Sequence, residues 1–119
     1  MSSKIKTICF DIDNTICNTK GSDYKKSKPI LKNIKFINYL YQKGFIIKIF
    51  TARYMGRNND NQNKAKKMAK KITLQQLKKW NLKYHRIYFG KPSFDLYIDD
   101  KNLNFSKNWS KKVKNLINK

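Results

Sequence analysis

The chain has 119 residues, with 28 Lys plus Arg against seven acids, a net charge of +21 and a hydrophobic share of 39%. That length fits one domain with a single modest core, and that apolar share argues against a disordered chain. No apolar run nears the ~20 residues that cross a bilayer.

Met1-Ser2-Ser3-Lys4 leads straight into an apolar run, with no signal-peptide hydrophobic region. Lys4 to Ile12 has the β-branched content of a strand. Asn18 to Lys28 is polar, contains Gly21 and reads as a loop. Pro29 opens a helix, as Pro does at a first turn. Ile30, Leu31, Ile34, Ile37, Tyr39, Leu40 and Tyr41 recur along it at roughly helical spacing, and Gly44 supplies its C-cap. Phe45 to Phe50 is a second buried strand that leads to Thr51. Ala52 to Asn63 is a polar loop with Gly56. Lys64 to Trp80 is helical, with Met68, Ile72, Leu77 and Trp80 as its apolar stripe. Arg86 to Phe89 is a short strand before Gly90-Lys91-Pro92, and Phe94 to Ile98 is another, ending at Asp99. Ser106 or Ser110 caps a last helix that carries Val113, Leu116 and Ile117. The order β-α-β-α-β-β-α predicts one α/β domain over residues 1–119, with helices layered on a mostly parallel sheet. There is no internal repeat and no linker.

The acids are all Asp, and four of the seven form two tight pairs, Asp11 with Asp13 and Asp99 with Asp100. Each pair closes an apolar strand. Clustered like charges repel, so such an arrangement calls for a cation. In open α/β sheets the carboxyl ends of the strands face the crevice where ligands bind. Asp11 and Asp13 are two apart, so on an extended strand they share a face. Thr51 adds a hydroxyl at the next strand end, and Lys91, held between Gly90 and Pro92, adds an ammonium. An oxygen-only donor set of this kind favours Mg²⁺. A carboxylate beside Mg²⁺ and Lys can attack phosphorus to form an aspartyl-phosphate. A second can protonate the leaving oxygen and then activate water.

Asp11-Ile12-Asp13-Asn14-Thr15, Thr51, Lys91 and Asp99-Asp100 together resemble the four motifs of the haloacid dehalogenase superfamily of phosphohydrolases. They stand in the right order at the spacing of a compact member, and the resemblance covers essentially the whole chain. It implies a three-layer Rossmann-like core. Gly21-Ser22-Asp23-Tyr24, Lys28-Pro29-Ile30, Phe50-Thr51-Ala52-Arg53, Leu77 to Trp80, Ile87 to Pro92 and Phe94 to Lys101 look like the small capsule-biosynthesis phosphatases of bacteria. Those are associated with phosphorylated sugars in surface-polysaccharide pathways. The resemblance implies Asp11 as nucleophile, Asp13 as general acid/base, Thr51 on the phosphoryl oxygens, and Lys91 on nucleophile and phosphate. It places Mg²⁺ on Asp11, the backbone carbonyl of Asp13, Asp99, and Asp100 directly or through water. One position departs from the family pattern. Asn14 stands where Gly is usual, and Asn is the non-Gly residue most tolerant of left-handed backbone. Sixteen residues separate Ile12 from Pro29, too few for a cap domain. The site is then shielded only by the loops at Thr19 to Lys28 and Tyr54 to Asn61, or by a neighbouring subunit of a homo-oligomer.

The remaining polar residues have two readings each. Arg53 grips substrate phosphate bidentately or pairs with Asp60. Tyr24 touches substrate or covers the core edge, and Asn14 lies beside the phosphate approach. His85 has no expected role. Cys9 reads as a buried strand residue. Cys17 has no base beside it and no expected role in catalysis. Two cysteines make neither a disulfide framework nor a metal spacing, so the expected compartment is a reducing cytoplasm, with no membrane contact. Net charge invites nonspecific nucleic-acid binding. Yet the basic residues are almost all Lys and spread along the chain, and an AT-rich genome encodes Lys, Asn, Ile, Tyr and Phe together. Two alternatives to a sugar phosphatase follow from the same residues. One is a polynucleotide 3′-phosphatase; the other is a catalytically dead, basic nucleic-acid-binding module.

Overall fold

Three strands form a parallel sheet in the order β1 (Thr7–Phe10), β4 (Ile46–Thr51), β5 (Arg86–Phe89). Thr7 pairs with Ile46 and Phe10 with Ile49, while Lys48 pairs with Arg86 and Thr51 with Phe89. The computed structural model describes residues 5–53, 55, 62–92, 94–96 and 99–118. The apolar runs around Thr7–Phe10, Ile46–Thr51 and Arg86–Phe89 form strands, and burial alternates along β4 as side chains alternate between the sheet's two faces. Ile47 and Ile49 are fully buried in β4. The helices are α1 (Leu31–Gln42), α2 (Gln62–Lys79) and α3 (Trp109–Ile117). The domain is therefore α/β and Rossmann-like, and the described residues include no cap domain.

Both long helices end alike. After α1, Gly44 adopts φ 99°, its N–H meets the Tyr41 carbonyl at 3.2 Å, and the Phe45 N–H meets the Leu40 carbonyl at 3.1 Å. After α2, Asn81 at φ 58° repeats the pattern toward Lys78 and Leu77, both at 3.1 Å. These are Schellman closures, which satisfy the orphaned carbonyls of a last turn. The Asn38 side chain ties the two ends together. It donates to the Asn81 carbonyl at 2.9 Å and accepts the Lys83 N–H at 2.8 Å.

Several expectations shift. Pro29 does not open α1. It lies in β3 (Lys28–Pro29), antiparallel to β2 (Cys17–Asn18), so the polar stretch between them is closed at its base by a short ribbon. Pro is tolerated there because a two-residue edge strand asks little of its missing N–H. On α1 the buried face is Asn33, Ile34, Phe36, Ile37 and Leu40, while Leu31 is 63% exposed and Tyr39 lies outside. α3 starts after Asn108, whose side chain makes no capping hydrogen bond and accepts the Ser106 hydroxyl at 2.7 Å; Trp109 joins Val113 and Ile117 in the core while Leu116 is exposed. Cys9 is exposed, because among the described residues β1 is paired only by β4. Phe94, Asp95 and Leu96 do not form a strand, and Leu96 is 78% exposed. Pro92 has no N–H for a ladder and Asp is a poor strand former. Met1 to Lys4, Tyr54 and residues 56–61 of the expected loop, and Tyr97 and Ile98 of the expected strand, lie outside the described residues. His85 has a structural role: its Nδ1 accepts the Ile47 N–H at 3.0 Å, and its ring stacks on Tyr41 at 4.5 Å. No described helix is long and apolar enough to cross a membrane.

Trp109 anchors α3 to the rest of the core. Its ring lies 5.4 Å from Phe10 and 6.0 Å from Phe36, and its buried Nε1 has no hydrogen-bond partner among the described residues. Trp109→Ala should cost about 3–5 kcal/mol in urea unfolding, as large-to-small aromatic changes do. Trp109→Phe should cost far less, because it also removes an unsatisfied donor. Equal losses in the two variants would show that ring volume is not what Trp109 contributes.

Candidate active site

The chain leaves β1 at Phe10 and turns sharply. Ile12 is fully buried, and its carbonyl accepts the N–H groups of Thr15, Ile16 and Cys17 at 3.1, 2.8 and 3.3 Å. The turn requires Asn14 at φ 63°, and the Asn14 N–H closes it on the Cys17 carbonyl at 2.6 Å. Asn thus supplies the left-handed residue that Gly would otherwise provide. With Ile12 pinned in the core, Asp11 and Asp13 on either side of it are left partly exposed.

Asp11 meets Lys91. The Lys91 Nζ lies 3.8 Å from Asp11 Oδ1, and the ammonium also sits 5.4 Å from the Phe94 ring centroid. The Lys91 N–H donates to the Thr51 carbonyl at 3.1 Å, which extends the β4–β5 ladder by one bond and delivers Lys91 to the end of β1. Burial pushes the Asp11 carboxyl above its ordinary value and the charge of Asp13 adds to this. Lys91, the Ile12 backbone N–H and Arg53 pull it back.

Asp13 is held on both oxygens. Oδ1 accepts Thr19 Oγ1 at 2.6 Å, Arg53 Nη2 at 3.0 Å and Arg53 Nε at 3.2 Å, and Oδ2 accepts Arg53 Nε at 3.1 Å. The Thr19 proton is engaged there, so the 2.7 Å contact between Thr19 Oγ1 and Ser27 Oγ has Ser27 as donor. Arg53 is 2% exposed, and its Nη1 donates to Thr73 Oγ1 at 3.1 Å and Gln76 Oε1 at 2.6 Å. Gln76 Nε2 in turn donates to the Tyr24 carbonyl at 2.6 Å, and the guanidinium carbon lies 5.0 Å from the centroid of the Tyr24 ring. Arg53 therefore joins the Asp13 turn, α2 and the segment at Tyr24.

Arg53 is buried, and its fork donates to Asp13, Thr73 and Gln76. Asp60, the alternative partner, lies outside the described residues. Tyr24 is half-buried against Arg53 and packs with Ala52, Ile72 and Phe89 around the buried Met55. Asn14 is exposed, and its Oδ1 accepts the Thr19 N–H at 3.3 Å. Thr51 is 1% exposed at the end of β4, and its Oγ1 accepts the Arg53 N–H at 3.1 Å. Burial pushes the Cys17 thiol up, which is the opposite of an activated nucleophile.

Thr19, Ser27, Thr73 and Gln76 are absent from the sequence expectations. One signal points to the last two. Thr73, Gln76, Leu77 and Trp80 follow one helical stripe, so two polar side chains interrupt an apolar face and need a buried partner.

The expected cation has oxygen donors of the right type in Asp11, the Asp13 carbonyl, Asp99 and Asp100. The Asp13 carbonyl accepts none of the turn's backbone hydrogen bonds. Asp99 and Asp100 are exposed, and Asp99 Oδ1 accepts the Lys101 N–H at 2.8 Å. Among the described residues no group of three or more His, Cys, Asp or Glu side chains is placed to hold a metal ion. What the structure brings together is Asp11 with Lys91, and Asp13 with Arg53, at the carboxyl ends of β1, β4 and β5.

No family model matches the chain, and no curated protein matches it. The crystal structure of a target protein from Vibrio cholerae is similar, with 28% identity and a TM-score of 0.76 over 91% of this chain and 95% of that one. That protein carries no functional name, and the likeness extends the α/β architecture over nearly the full length of both.

Proposed function

We propose that this protein is a phosphomonoester hydrolase that works through an aspartyl-phosphate on Asp11. The observation that carries the reading is the meeting of Asp11 and Lys91, eighty positions apart, at the carboxyl edge of a parallel sheet. A lysine beside a nucleophilic carboxylate serves two ends. It holds the carboxylate in line, and it offers a positive charge to the phosphoryl oxygens as they gain charge.

In this reading an Asp11 oxygen attacks phosphorus and the leaving oxygen takes a proton from Asp13. Water then cleaves the acyl-phosphate, with Asp13 accepting its proton. Arg53 and Thr19 keep the Asp13 carboxyl in one orientation for both steps. Mg²⁺, held by Asp11, the Asp13 carbonyl, Asp99 and Asp100, would supply charge neutralisation for the phosphoryl group. The resemblance to small capsule-type phosphatases points to a phosphorylated sugar of a surface polysaccharide as substrate. The net charge of +21 favours a second reading, a polynucleotide 3′-phosphatase.

The test is turnover of an aryl phosphate with Mg²⁺, then of sugar phosphates and of 3′-phosphorylated oligonucleotides. Activity should vanish in EDTA and return with Mg²⁺. Asp13→Asn should slow turnover by roughly 10²–10⁴, the range of a general acid/base. Cleavage of the oligonucleotide alone would favour the second reading. No cleavage of any phosphomonoester, with Mg²⁺ present, would refute both.

A further inference from the structure

A second feature lies between α1 and α3. Lys32, Lys35, Phe36 and Tyr39 of α1 and Ser110, Lys111 and Lys114 of α3 line an open cleft of about 530 Å³. Lys32 and Lys35 are one helical turn apart on α1, as are Lys111 and Lys114 on α3, so each helix presents a pair of ammonium groups along one edge. Neither helix contains an acid, so nothing within them offsets these four charges. The floor is aromatic. The Phe36 and Tyr39 rings are stacked, with centroids 6.2 Å apart and planes 20° from parallel. Phe36 is buried, while Tyr39 is 46% exposed although it belongs to a helix packed on the core. Lys114 approaches Phe36 to 5.8 Å and Lys43 approaches Tyr39 to 5.6 Å.

Four like charges lining one cleft repel one another, and an anion bound there would relieve that repulsion. A basic channel that tracks a phosphate backbone, with an aromatic platform for unstacked bases, is how proteins hold single-stranded nucleic acid. Duplex nucleic acid presents phosphates but keeps its base faces stacked away. We propose that the α1–α3 cleft is a binding site for single-stranded nucleic acid, with Lys32, Lys35, Lys111 and Lys114 on phosphates and Tyr39 stacked on a base. This distinguishes one surface from the lysines scattered over the chain, and it stands independently of the phosphatase reading.

The experiment is fluorescence anisotropy with a labelled dT15 across a salt series. Lys32→Gln, Lys35→Gln, Lys111→Gln and Lys114→Gln combined should weaken binding at least tenfold. The salt slope should drop by about 3, at ~0.7 for each phosphate no longer neutralised. A matched control removes the same charge from exposed α2 positions: Lys70→Gln, Lys71→Gln, Lys78→Gln and Lys79→Gln. It should change affinity less than threefold. Tyr39→Leu should weaken dT15 about tenfold and leave binding of inorganic polyphosphate unchanged. In the unmutated protein, dT15 should shield the four cleft lysines from acetylation and leave the four α2 lysines reactive, which keeps the result independent of any variant's folding. Equal losses in the two quadruple variants, or equal shielding of both lysine sets, would overturn the proposal in favour of diffuse charge. Tyr39→Leu binding dT15 as tightly as the parent would overturn the base-stacking site and leave a general polyanion surface.

Discussion

Asp11→Asn should abolish aryl-phosphate turnover, by roughly 10³-fold or more, while the circular dichroism spectrum stays that of the parent. The substitution keeps side-chain volume and removes only the nucleophilic charge. It should also make the metal-free protein more stable at neutral pH. The folded state raises the Asp11 carboxyl by burial. Between the ordinary carboxylate range and that raised value, the folded chain binds more protons at Asp11 than the unfolded chain does. Stability contributed by this site therefore falls as pH rises through that window. Below the ordinary range both states are protonated and the handicap disappears. Urea unfolding of parent and Asp11→Asn in EDTA should then converge at acid pH and diverge in favour of the variant as pH rises. A variant that retained parent turnover would eliminate the aspartyl-phosphate route. One less stable than the parent at neutral pH would show that Lys91 more than offsets the burial of Asp11.

Arg53→Ala should be the most damaging change outside the apolar core. It removes the partner of Asp13 and the donor to Thr73 and Gln76 at once. Breaking a buried ion pair costs about 3–5 kcal/mol. Asp13 keeps 20% of its side-chain surface in water, so the lower end, about 3 kcal/mol, is the expected loss. Arg53→Lys should recover only part of it, because one ammonium cannot span the fork that reaches three side chains. In turnover, the loss should fall on kcat with KM little changed, since Arg53 acts through Asp13 and has no open face for substrate. Combining Arg53→Ala with Asp13→Asn should cost less than the sum of the two single changes, as coupled neighbours do. Parent-like stability together with a raised KM alone would restore Arg53 to the substrate.

The three strands of the parallel sheet and the three helices were legible because their signals are local. Arg86 to Phe89 forms the strand it reads as, and Ile46 to Thr51 and Gln62 to Lys79 lie within two residues of their expected bounds. Gly44 ends α1 where a left-handed residue is needed, and Asn14 turns the chain where Gly would otherwise stand. The acids that follow β1 were legible for the same reason: an acid at the close of an apolar run is visible without any partner.

Partner choice was not legible. Whether Arg53 faces solvent or Asp13 depends on a pairing forty positions apart and on the helix that brings Thr73 and Gln76 to its other nitrogens. Exposure of Cys9 depends on what lies beside β1, and the burial of Trp109 on α3 crossing Phe10 and Phe36. Residue order and spacing were thus enough for the α/β architecture, the turn after β1 and the charged residues that follow β1 and β5, because periodicity, capping and backbone preference act over a few residues. Tertiary structure alone decided that Lys91 meets Asp11, that Arg53 is buried as the holder of Asp13, and that four lysines and two rings share one cleft. Each of these is a contact between segments far apart in the chain, and its free energy exists only once the sheet has brought them together.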